Sequence, residues 1–307
     1  MKKIECFKIR LLECGGEQVW DLGAHKPIHD ILCDHSPLSL NPVTIVADPF
    51  LFVDGDRLFL FYEEKRNYTP GVIRMTSTVD LIHWTKAVTV LKEDFHLSYP
   101  FVFEDQGSIY MIPETSDVGD IRLYMADNKD LTSFSLYKTL LQKEVKETEI
   151  GFADTSVFKK DNLYFLMTSV ERQRTNYLYL YFAFQADGPY VEHSCSPVCV
   201  SSKYGRNGGG ILAFDDKLFR VAQDCEVRYG DNIHMFEIDK LNTSSYQEHL
   251  ALSDLIPNGI HFYKEGGHQL HYTRFKGKTI VATDAKEYQS LAFCRGIHKF
   301  GQILLKL

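Results

Sequence analysis

Residues 47–64 read ADPFLFVDGDRLFLFYEE, two apolar, aromatic-rich runs on either side of a DGD turn. Apolar runs of this length around a short Asp/Gly turn are typical of a β-hairpin. Acidic residues stand at the open ends of the hairpin, Asp48 in front and Glu63 with Glu64 behind. Because the start of one strand lies beside the end of its antiparallel partner, these carboxylates are predicted to share one end of the hairpin.

The same pattern returns four times, at intervals of about 50 to 60 residues. The copies are SYPFVFEDQGSIYMIPET (98–115), FADTSVFKKDNLYFLMTS (152–169), RNGGGILAFDDKLFRVAQD (206–224) and GGHQLHYTRFKGKTIVATDA (266–285). A regular period of this size indicates a propeller with about four strands in each blade. We therefore predict an all-β fold, a five-bladed β-propeller with four-stranded antiparallel blades around a central funnel.

The repeat also predicts the organisation of the chain. Blades are expected to start near residues 47, 98, 152, 206 and 266, within a single domain that covers residues 1–307. Residues 1–44 are expected to form an N-terminal extension and a strand that closes the ring against the last blade. No Gly/Ser-rich linker or low-complexity tract separates the repeats.

Composition limits the classes of partner. The formal net charge is −7 and no basic block is present, which argues against nucleic acid and against an anionic membrane surface. No apolar run approaches the ~18 residues of a membrane span, and the N-terminus lacks the uninterrupted apolar segment of a signal peptide. The seven scattered cysteines are typical of free thiols in a reducing compartment. We therefore expect a cytoplasmic location.

Acidic residues at the hairpin mouths are the candidate catalytic groups. In a propeller the five mouths converge on one face, so Asp48, Glu114 and Asp154 are predicted to approach the axis together. Crowded carboxyl groups have their pKa values pushed apart, which supplies the general acid and general base of glycosidic cleavage. The alternative is that acids at strand ends face water, and we expect this for Glu63 and Glu104.

Seven further side chains at the mouths are candidate substrate-binding residues. They are Glu64, Tyr99, Thr155, Arg206, Asn207, Gln223 and Asp224. Arg206 lies in the segment YGRNGGG, where it could hold a phosphate or carboxylate group of a ligand. The alternative is that the three glycines only let the backbone pack close to the axis. Arg228 and Tyr229 follow in a predicted loop and could line the rim.

A cluster of potential metal ligands, His25, His29, Cys33 and His35, stands in AHKPIHDILCDH near the N-terminus. Residues spaced by four align on a helix, but Pro27 disfavours a helix here. A transition-metal site and a turn segment without ligands therefore both remain open.

Several of these motifs resemble those of five-bladed glycosidases, glycoside hydrolase family 43 and its relatives. ADPFLF and FADTSVF resemble their inner strands in blades one and three, and STVDLIHW resembles an S-x-D-L-x-x-W element after a third strand. The resemblance implies that Asp48 is the catalytic base and that Asp154 orients the acid and tunes its pKa. It also implies a calcium ion or waters in the axial channel near His268.

The chain departs from this family in blade four. Those enzymes carry the acid glutamate at the start of the fourth inner strand, where this chain reads YGRNGGG. Glu114 in blade two is the remaining candidate acid.

The motifs YPFVFE, YMIPETS, DTSVF, RNGG and AQDC resemble more closely the propeller domain of glucosamine inositolphosphorylceramide transferases. That likeness implies the handling of a carbohydrate or sugar conjugate without requiring hydrolysis, and we expect no attached transferase domain. Three functions stay open: a glycosidase-like enzyme, a non-hydrolytic sugar-binding or transferase-accessory module, and a scaffold for protein partners.

Overall fold

The structure is a computed structural model that describes residues 3–15, 19–33, 41–142, 149–257 and 259–290. It forms five antiparallel sheets arranged as the blades of a propeller, as the repeat predicted. Blade one contains β3 (Val43–Asp54), β4 (Arg57–Arg66), β5 (Val72–Thr78) and β6 (Val88–Leu91). Blade two contains β7 (Ser98–Asp105), β8 (Ser108–Glu114), β9 (Asp120–Ala126) and β10 (Phe134–Gln142).

Blades three and four continue in chain order. Blade three contains β11 (Glu149–Lys160), β12 (Leu163–Arg172), β13 (Thr175–Ala183) and β14 (Val191–Glu192), with β15 (Cys199–Val200) also paired to β13. Blade four contains β16 (Arg206–Phe214), β17 (Lys217–Gln223), β18 (Ile233–Asn242) and β19 (Ser245–Leu252).

The fifth blade combines strands from the two ends of the described chain. Its strands are β20 (Leu270–Phe275), β21 (Lys278–Ser290), β1 (Lys3–Cys14) and β2 (Lys26–Ile31), in that order. The strand β1 pairs with β21 along its full length. Residues far apart in sequence therefore close the ring by main-chain hydrogen bonds.

The apolar runs of the sequence are explained by burial of both faces of each blade. On β4, Phe59 and Phe61 pack into a cluster with blade two, whereas Leu58, Leu60 and Tyr62 belong to a cluster shared with blade five. Successive side chains of a strand point to opposite faces of the sheet. A blade that packs between two neighbouring blades therefore needs apolar residues at odd and even positions alike. Each fully buried side chain of this size contributes roughly 1.5–3 kcal/mol.

A bulge near the start of each of the first four inner strands shapes the central face. Asp48, Tyr99 and Asp154 have φ values of 54°, 46° and 51°, each at a break in the pairing register with the second strand. Such bulges bend a strand and redirect its side chains. In blade four the break falls at the glycines, where a Cβ on Gly209 would lie 1.7 Å from the carbonyl oxygen of Leu270. Close packing of blade four against blade five therefore requires glycine here.

The helical segments that the structure describes are short 3-10 turns, including Ser116–Val118 and His261–Tyr263. No helix in the described ranges has the length and apolar character needed to cross a membrane.

Candidate functional site

The hairpin mouths meet at one face, and the strand registers show which residues face one another there. Ala47 lies opposite Glu63, Ser98 opposite Glu114, Ala153 opposite Ser169 and Arg206 opposite Gln223. Five charged side chains near the axis at this face contact one another in pairs, and we call them the axial cluster. They are Asp48, Glu114, Asp154, Arg206 and His268.

Asp48 is a buried carboxylate whose surroundings favour its ionised form. It is only 5% exposed, and its Oδ2 accepts a hydrogen bond from the backbone N–H of Tyr99 at 3.0 Å. Its Oδ1 lies 3.2 Å from Nε2 of His268. Burial acts to raise the pKa of Asp48, but the charge of His268 and these contacts outweigh it and lower the pKa.

His268 lies between two carboxylates. Its Nδ1 is 2.7 Å from Oδ2 of Asp284, while its Nε2 faces Asp48. The backbone N–H groups of His268 and Gln269 donate to Oδ1 of Asp284 at 2.8 and 3.1 Å, which holds that carboxylate in place. Burial acts to lower the pKa of His268, but Asp284 and Asp48 raise it well above its usual value. The two carboxylates therefore favour the imidazolium form of the ring.

Arg206 joins the remaining two carboxylates. Its Nε lies 2.6 Å from Oδ2 of Asp154 and its Nη2 lies 3.6 Å from Oε2 of Glu114. The same Glu114 oxygen accepts the backbone N–H of Asp154 at 3.2 Å. Burial, Glu114 and Asp48 raise the pKa of Asp154, and Arg206 opposes that rise. The start of the fourth inner strand thus holds a permanent cation.

Asn207, Gln223 and Tyr99 are buried around this cluster. The Nδ2 of Asn207 donates to the carbonyl oxygen of Asp154 at 2.9 Å. The Nε2 of Gln223 donates both to Oδ2 of Asp154 at 3.0 Å and to the carbonyl oxygen of Asn207 at 2.8 Å. These two amides orient Asp154 and the start of β16. The hydroxyl of Tyr99 is buried and has no hydrogen-bond partner among the described residues.

Three other predicted binding residues, Glu64, Thr155 and Asp224, have side-chain contacts with residues that do not belong to the axial cluster. Glu64 forms ion pairs with Arg66 and Arg74, each at 3.4 Å. The hydroxyl of Thr155 is buried and donates to that of Thr168 at 2.8 Å. The side chains of Glu64 and Thr155 therefore bind to residues of their own blades.

Asp224, the third, is also held within its own blade. It lies 3.3 Å from Nε2 of His234 and 3.7 Å from Nζ of Lys203. These contacts occupy its carboxylate away from the ion pairs of Arg206.

Glu63 was expected to face water, and that expectation is wrong. Its side chain is 5% exposed, and its Oε1 lies 3.4 Å from Nε2 of His96. Glu104, for which the same was expected, is exposed. Burial and the charge of Asp48 raise the pKa of Glu63 well above its usual value. Side chains alternate along β4, so Glu63 and Glu64 lie on opposite sides of the strand. This alternation was the feature of the sequence from which the burial of Glu63 could have been predicted.

His96 approaches Glu63 as a neutral ring. Its Nδ1 accepts the backbone N–H of Gly71 at 2.9 Å, which leaves the ring proton on Nε2, 3.4 Å from Oε1 of Glu63. Burial and the charge of Lys65 lower the pKa of His96. The pair places an uncharged hydrogen-bond donor beside a carboxyl group that resists ionisation.

Asp48, His268 and Asp284 form the one group of potential metal ligands found within the described ranges, with ligand atoms within 4.8 Å of one another. This set does not fit calcium well, since Ca²⁺ takes six to eight oxygen ligands and the group offers two carboxylates and an imidazole. Both ring nitrogens also lie near carboxylates, which favour protonated ring nitrogens over a free lone pair for a metal ion.

The N-terminal candidate ligands do not converge in the described structure. His29 stacks on Trp84 with ring centroids 4.4 Å apart, and the Sγ of Cys33 donates to the carbonyl oxygen of Phe7 at 2.8 Å. His35 lies outside the described residues.

An open cavity of about 400 Å³ lies away from the axial cluster, between β16 and β20. Its lining includes Ile211, His271 and Arg274. The Nδ1 of His271 accepts the backbone N–H of Leu51 at 3.2 Å, and burial lowers the pKa of this ring to about 4. His271 is therefore neutral, and the cavity lacks the converging charges of the axial face.

Solved structures with a similar fold include glycoside hydrolases. A family 117 glycoside hydrolase of Zobellia galactanivorans aligns with a TM-score of 0.56 at 12% identity, covering 92% of this chain and 90% of that one. An alpha-L-arabinofuranosidase of Clostridium thermocellum aligns with a TM-score of 0.55 at 15% identity, covering 76% and 80%. Likeness at this level of identity shows the shared propeller fold alone.

Curated relatives are much closer in sequence. Glucosamine inositolphosphorylceramide transferase 1 of Oryza sativa subsp. japonica is 36% identical over 217 residues, which cover 67% of this chain and 28% of the relative. The protein of the same name from Arabidopsis thaliana is 33% identical over 215 residues, covering 67% and 27%. The matched region thus spans little more than a quarter of these relatives.

The family model described as "Glucosamine inositolphosphorylceramide transferase 1, N-terminal" matches residues 15–265. This match covers most of the chain and includes all the residues of the axial cluster except His268. The chain belongs to the family of N-terminal regions of glucosamine inositolphosphorylceramide transferase 1, as its motifs predicted.

Proposed function

We propose that this propeller binds the sugar part of a sugar conjugate at its axial face. The observation that carries the proposal is the convergence of the axial cluster, in which charged groups from all five blades meet at one end of the axis. Carboxylates accept hydrogen bonds from sugar hydroxyls and a guanidinium donates them, so such a cluster suits a ligand with several hydroxyl groups. A protein scaffold would not need these charges near its axis.

The charge balance favours an amino sugar. Five buried carboxyl groups meet at this face, those of Asp48, Glu63, Glu114, Asp154 and Asp284. The cations Arg206 and His268 pair with four of them, whereas Glu63 lies beside the neutral ring of His96. A protonated amino group would add compensating positive charge where water is scarce. The relatives are named for glucosamine and inositolphosphorylceramide, which supports a glucosamine-bearing conjugate as the ligand class.

Calorimetric titration tests this proposal with three probes: methyl glucosaminide, methyl N-acetylglucosaminide and methyl glucoside. We expect saturable binding of the glucosaminide, at least about tenfold weaker binding of the two uncharged sugars, and weakening by salt. Asp48→Asn should reduce affinity for the glucosaminide at least about tenfold while the far-UV circular dichroism spectrum is retained. Absence of binding by all three probes, or equal affinities for them, would contradict the proposal.

Proton release gives a second measurement of the same binding event. An ammonium group near Glu63 would favour the ionised form of this carboxyl group, whose pKa is raised in the free protein. Titrations in buffers of different ionisation enthalpy should therefore report protons released on binding. Glu63→Gln should remove that release.

Hydrolysis of a glycosidic bond is the second candidate, favoured by the opposite pKa directions of Asp48 and Glu63. Asp48 would act as base and Asp154 would orient the reacting groups. Glu114 is the acid that the sequence proposed, and it lies 3.6 Å from Arg206. Glu63 is the second candidate acid, because its pKa is raised by burial and by Asp48, as a general acid requires.

Aryl glycosides test the hydrolytic candidate. The wild type should release the aryl alcohol, and Asp48→Asn should abolish the release. Glu63→Gln and Glu114→Gln, measured side by side, identify the acid by the larger loss of kcat. A wild type that binds the glucosaminide without releasing product from aryl glucosaminides would contradict hydrolysis and leave the binding proposal standing.

A further inference from the structure

Tyr229 is a partly exposed aromatic residue directly beside the axial cluster. It lies in the loop between β17 and β18, which starts after Gln223 and ends before Ile233. These two residues pair with each other at the axial end of blade four. The side chain is 41% exposed, although it contacts buried groups of the cluster.

The position of the ring is set by three contacts. The guanidinium carbon of Arg206 lies 5.4 Å from the ring centroid, the ring of His268 meets it edge-on at 5.1 Å, and that of Phe7 meets it edge-on at 6.4 Å. An exposed tyrosine without a role would be free to turn into water. This ring instead forms part of the wall above two charged residues of the axial cluster.

The backbone of the loop that carries Tyr229 is also fixed by contacts with its surroundings. The ammonium group of Lys286 donates to the carbonyl oxygen of Tyr229. The next residue, Gly230, has a φ of 62°, and a Cβ there would lie 3.1 Å from Cβ of His268. The N–H of Asp231 donates to the carbonyl oxygen of Asp224 at 3.0 Å, which closes the loop. The aromatic surface is therefore preorganised and costs little ordering entropy on binding.

A pyranose presents C–H groups on its faces and hydroxyl groups around its edge. A fixed, half-exposed aromatic ring provides a surface for the C–H groups, and the neighbouring charged groups provide partners for the hydroxyls. We propose that Tyr229 is the stacking platform of the axial site, on which a pyranose ring lies while its polar substituents reach the axial cluster. This inference rests on the proposed sugar-binding function and adds the residue that orients the sugar.

Nuclear magnetic resonance of methyl glucosaminide tests the platform directly. Sugar ring protons that lie over the face of an aromatic ring shift upfield on binding. We expect that upfield shift with the wild type and with Tyr229→Phe, whose affinity should stay within about twofold of the wild type. Tyr229→Ala should lose the upfield shift and bind at least about tenfold more weakly.

The matched control is Phe184→Ala. Phe184 is 79% exposed and follows β13, whose last residue pairs with Tyr164 near the opposite end of blade three. This variant should bind with unchanged affinity and an unchanged shift. Thermal unfolding of all variants separates loss of binding from loss of folding.

The outcomes distinguish the two proposals. If Asp48→Asn loses binding while Tyr229→Ala keeps the wild-type affinity and upfield shift, the platform is wrong and the sugar site stands. If the wild type binds no sugar, both are overturned. If Tyr229→Ala unfolds, stacking is tested instead with the wild type and Tyr229→Phe. A wild-type complex in which the sugar protons show no upfield shift contradicts stacking.

Discussion

The Nε atom of Arg206 lies 2.6 Å from Oδ2 of Asp154, and both side chains are more than nine-tenths buried. The pair joins the inner strand of blade three to that of blade four, so it acts across a blade boundary. Burial of two charges carries a large desolvation cost, which their attraction offsets only while both partners are present. Loss of one partner therefore has a larger effect than loss of both.

Arg206→Met should lower the free energy of unfolding by about 3–5 kcal/mol, because it leaves the Asp154 carboxylate buried without its cation. The double variant Arg206→Met/Asp154→Leu should recover much of that loss. Urea denaturation measures both. Arg274→Met is the control, since the pair of Arg274 with Asp215 is about two-thirds exposed and should be worth less than about 1 kcal/mol. Equal losses for the two single variants would contradict the prediction.

The cationic state of His268 predicts a pH dependence of stability. Its pKa in the folded protein is raised above the usual value of 6.5. The stabilisation that the protonated His268 ring gives to the folded state is therefore fully present below pH 6.5. It is lost as the pH rises through the higher folded-state pKa. The free energy of unfolding should fall over this range in the wild type, and the fall should be smaller in His268→Gln.

The exposed His249, which pairs with Asp239, provides the control for this pH series. His249→Gln should keep most of the wild-type slope above pH 6.5. A His268→Gln profile parallel to the wild type would show that the axial imidazole does not hold its proton in the folded state.

Glu63→Gln should stabilise the protein increasingly as the pH rises. The folded-state pKa of Glu63 is raised above 4.5 by burial and by Asp48. The wild type therefore loses stability as the pH rises from 4.5 through that higher value, whereas a glutamine has no proton to lose. We expect a gain of roughly 1 kcal/mol or more at pH 8, measured by urea denaturation.

The adjacent Glu64→Gln is the matched control for Glu63. Glu64 pairs with Arg66 and Arg74 at the edge of the blade. Its replacement should be neutral or slightly destabilising at pH 8. If the two variants have the same sign and size of effect, the assignment of Glu63 to the buried side of β4 is incorrect.

Gly209→Ala should destabilise the propeller by more than about 3 kcal/mol, because the added methyl group would meet the backbone of Leu270. Gly107→Ala separates this clash from the strain of a positive φ. Gly107 has a φ of 80° with nothing within 4 Å of an added Cβ, and its substitution should cost only about 1–2 kcal/mol. Thermal and urea unfolding compare the two, and equal costs would contradict close packing of blades four and five.

The architecture could be predicted from the sequence because its signals are local. A hairpin with apolar strands and a short turn is encoded within about twenty residues, and its repetition predicts the ring. The charged groups at the mouths could be listed for the same reason. Asp48, Tyr99 and Asp154 occupy equivalent positions in the repeat, and each has a left-handed backbone conformation at a bulge. The repeat aligned these three residues, but it did not predict their backbone conformation.

The partners of these groups could not be predicted in the same way. Glu63 and Glu64 are neighbours in sequence, yet only the pairing of β4 shows that Glu63 is buried beside His96 and that Glu64 faces Arg74. Asp224 stands one residue after Gln223, yet it contacts His234 instead of the ion pair of Arg206. Glu63 and Glu64 differ because one step along a strand reverses the direction of the side chain. Asp224 differs from Gln223 because it lies just beyond the end of β17.

The sequence by itself therefore determined the five hairpin repeats, the shared face of their mouths and the family. The tertiary structure was needed to show which carboxyl groups are paired with Arg206 or His268, which of them have a raised pKa, and that Tyr229 lies beside Arg206 and His268. The physical reason is that ion pairing, desolvation and ring contacts depend on distances of a few ångströms. Those distances join residues of different strands, such as Arg206 with Asp154 and His268 with Asp48, and they are set by strand register, bulges and the packing of neighbouring blades.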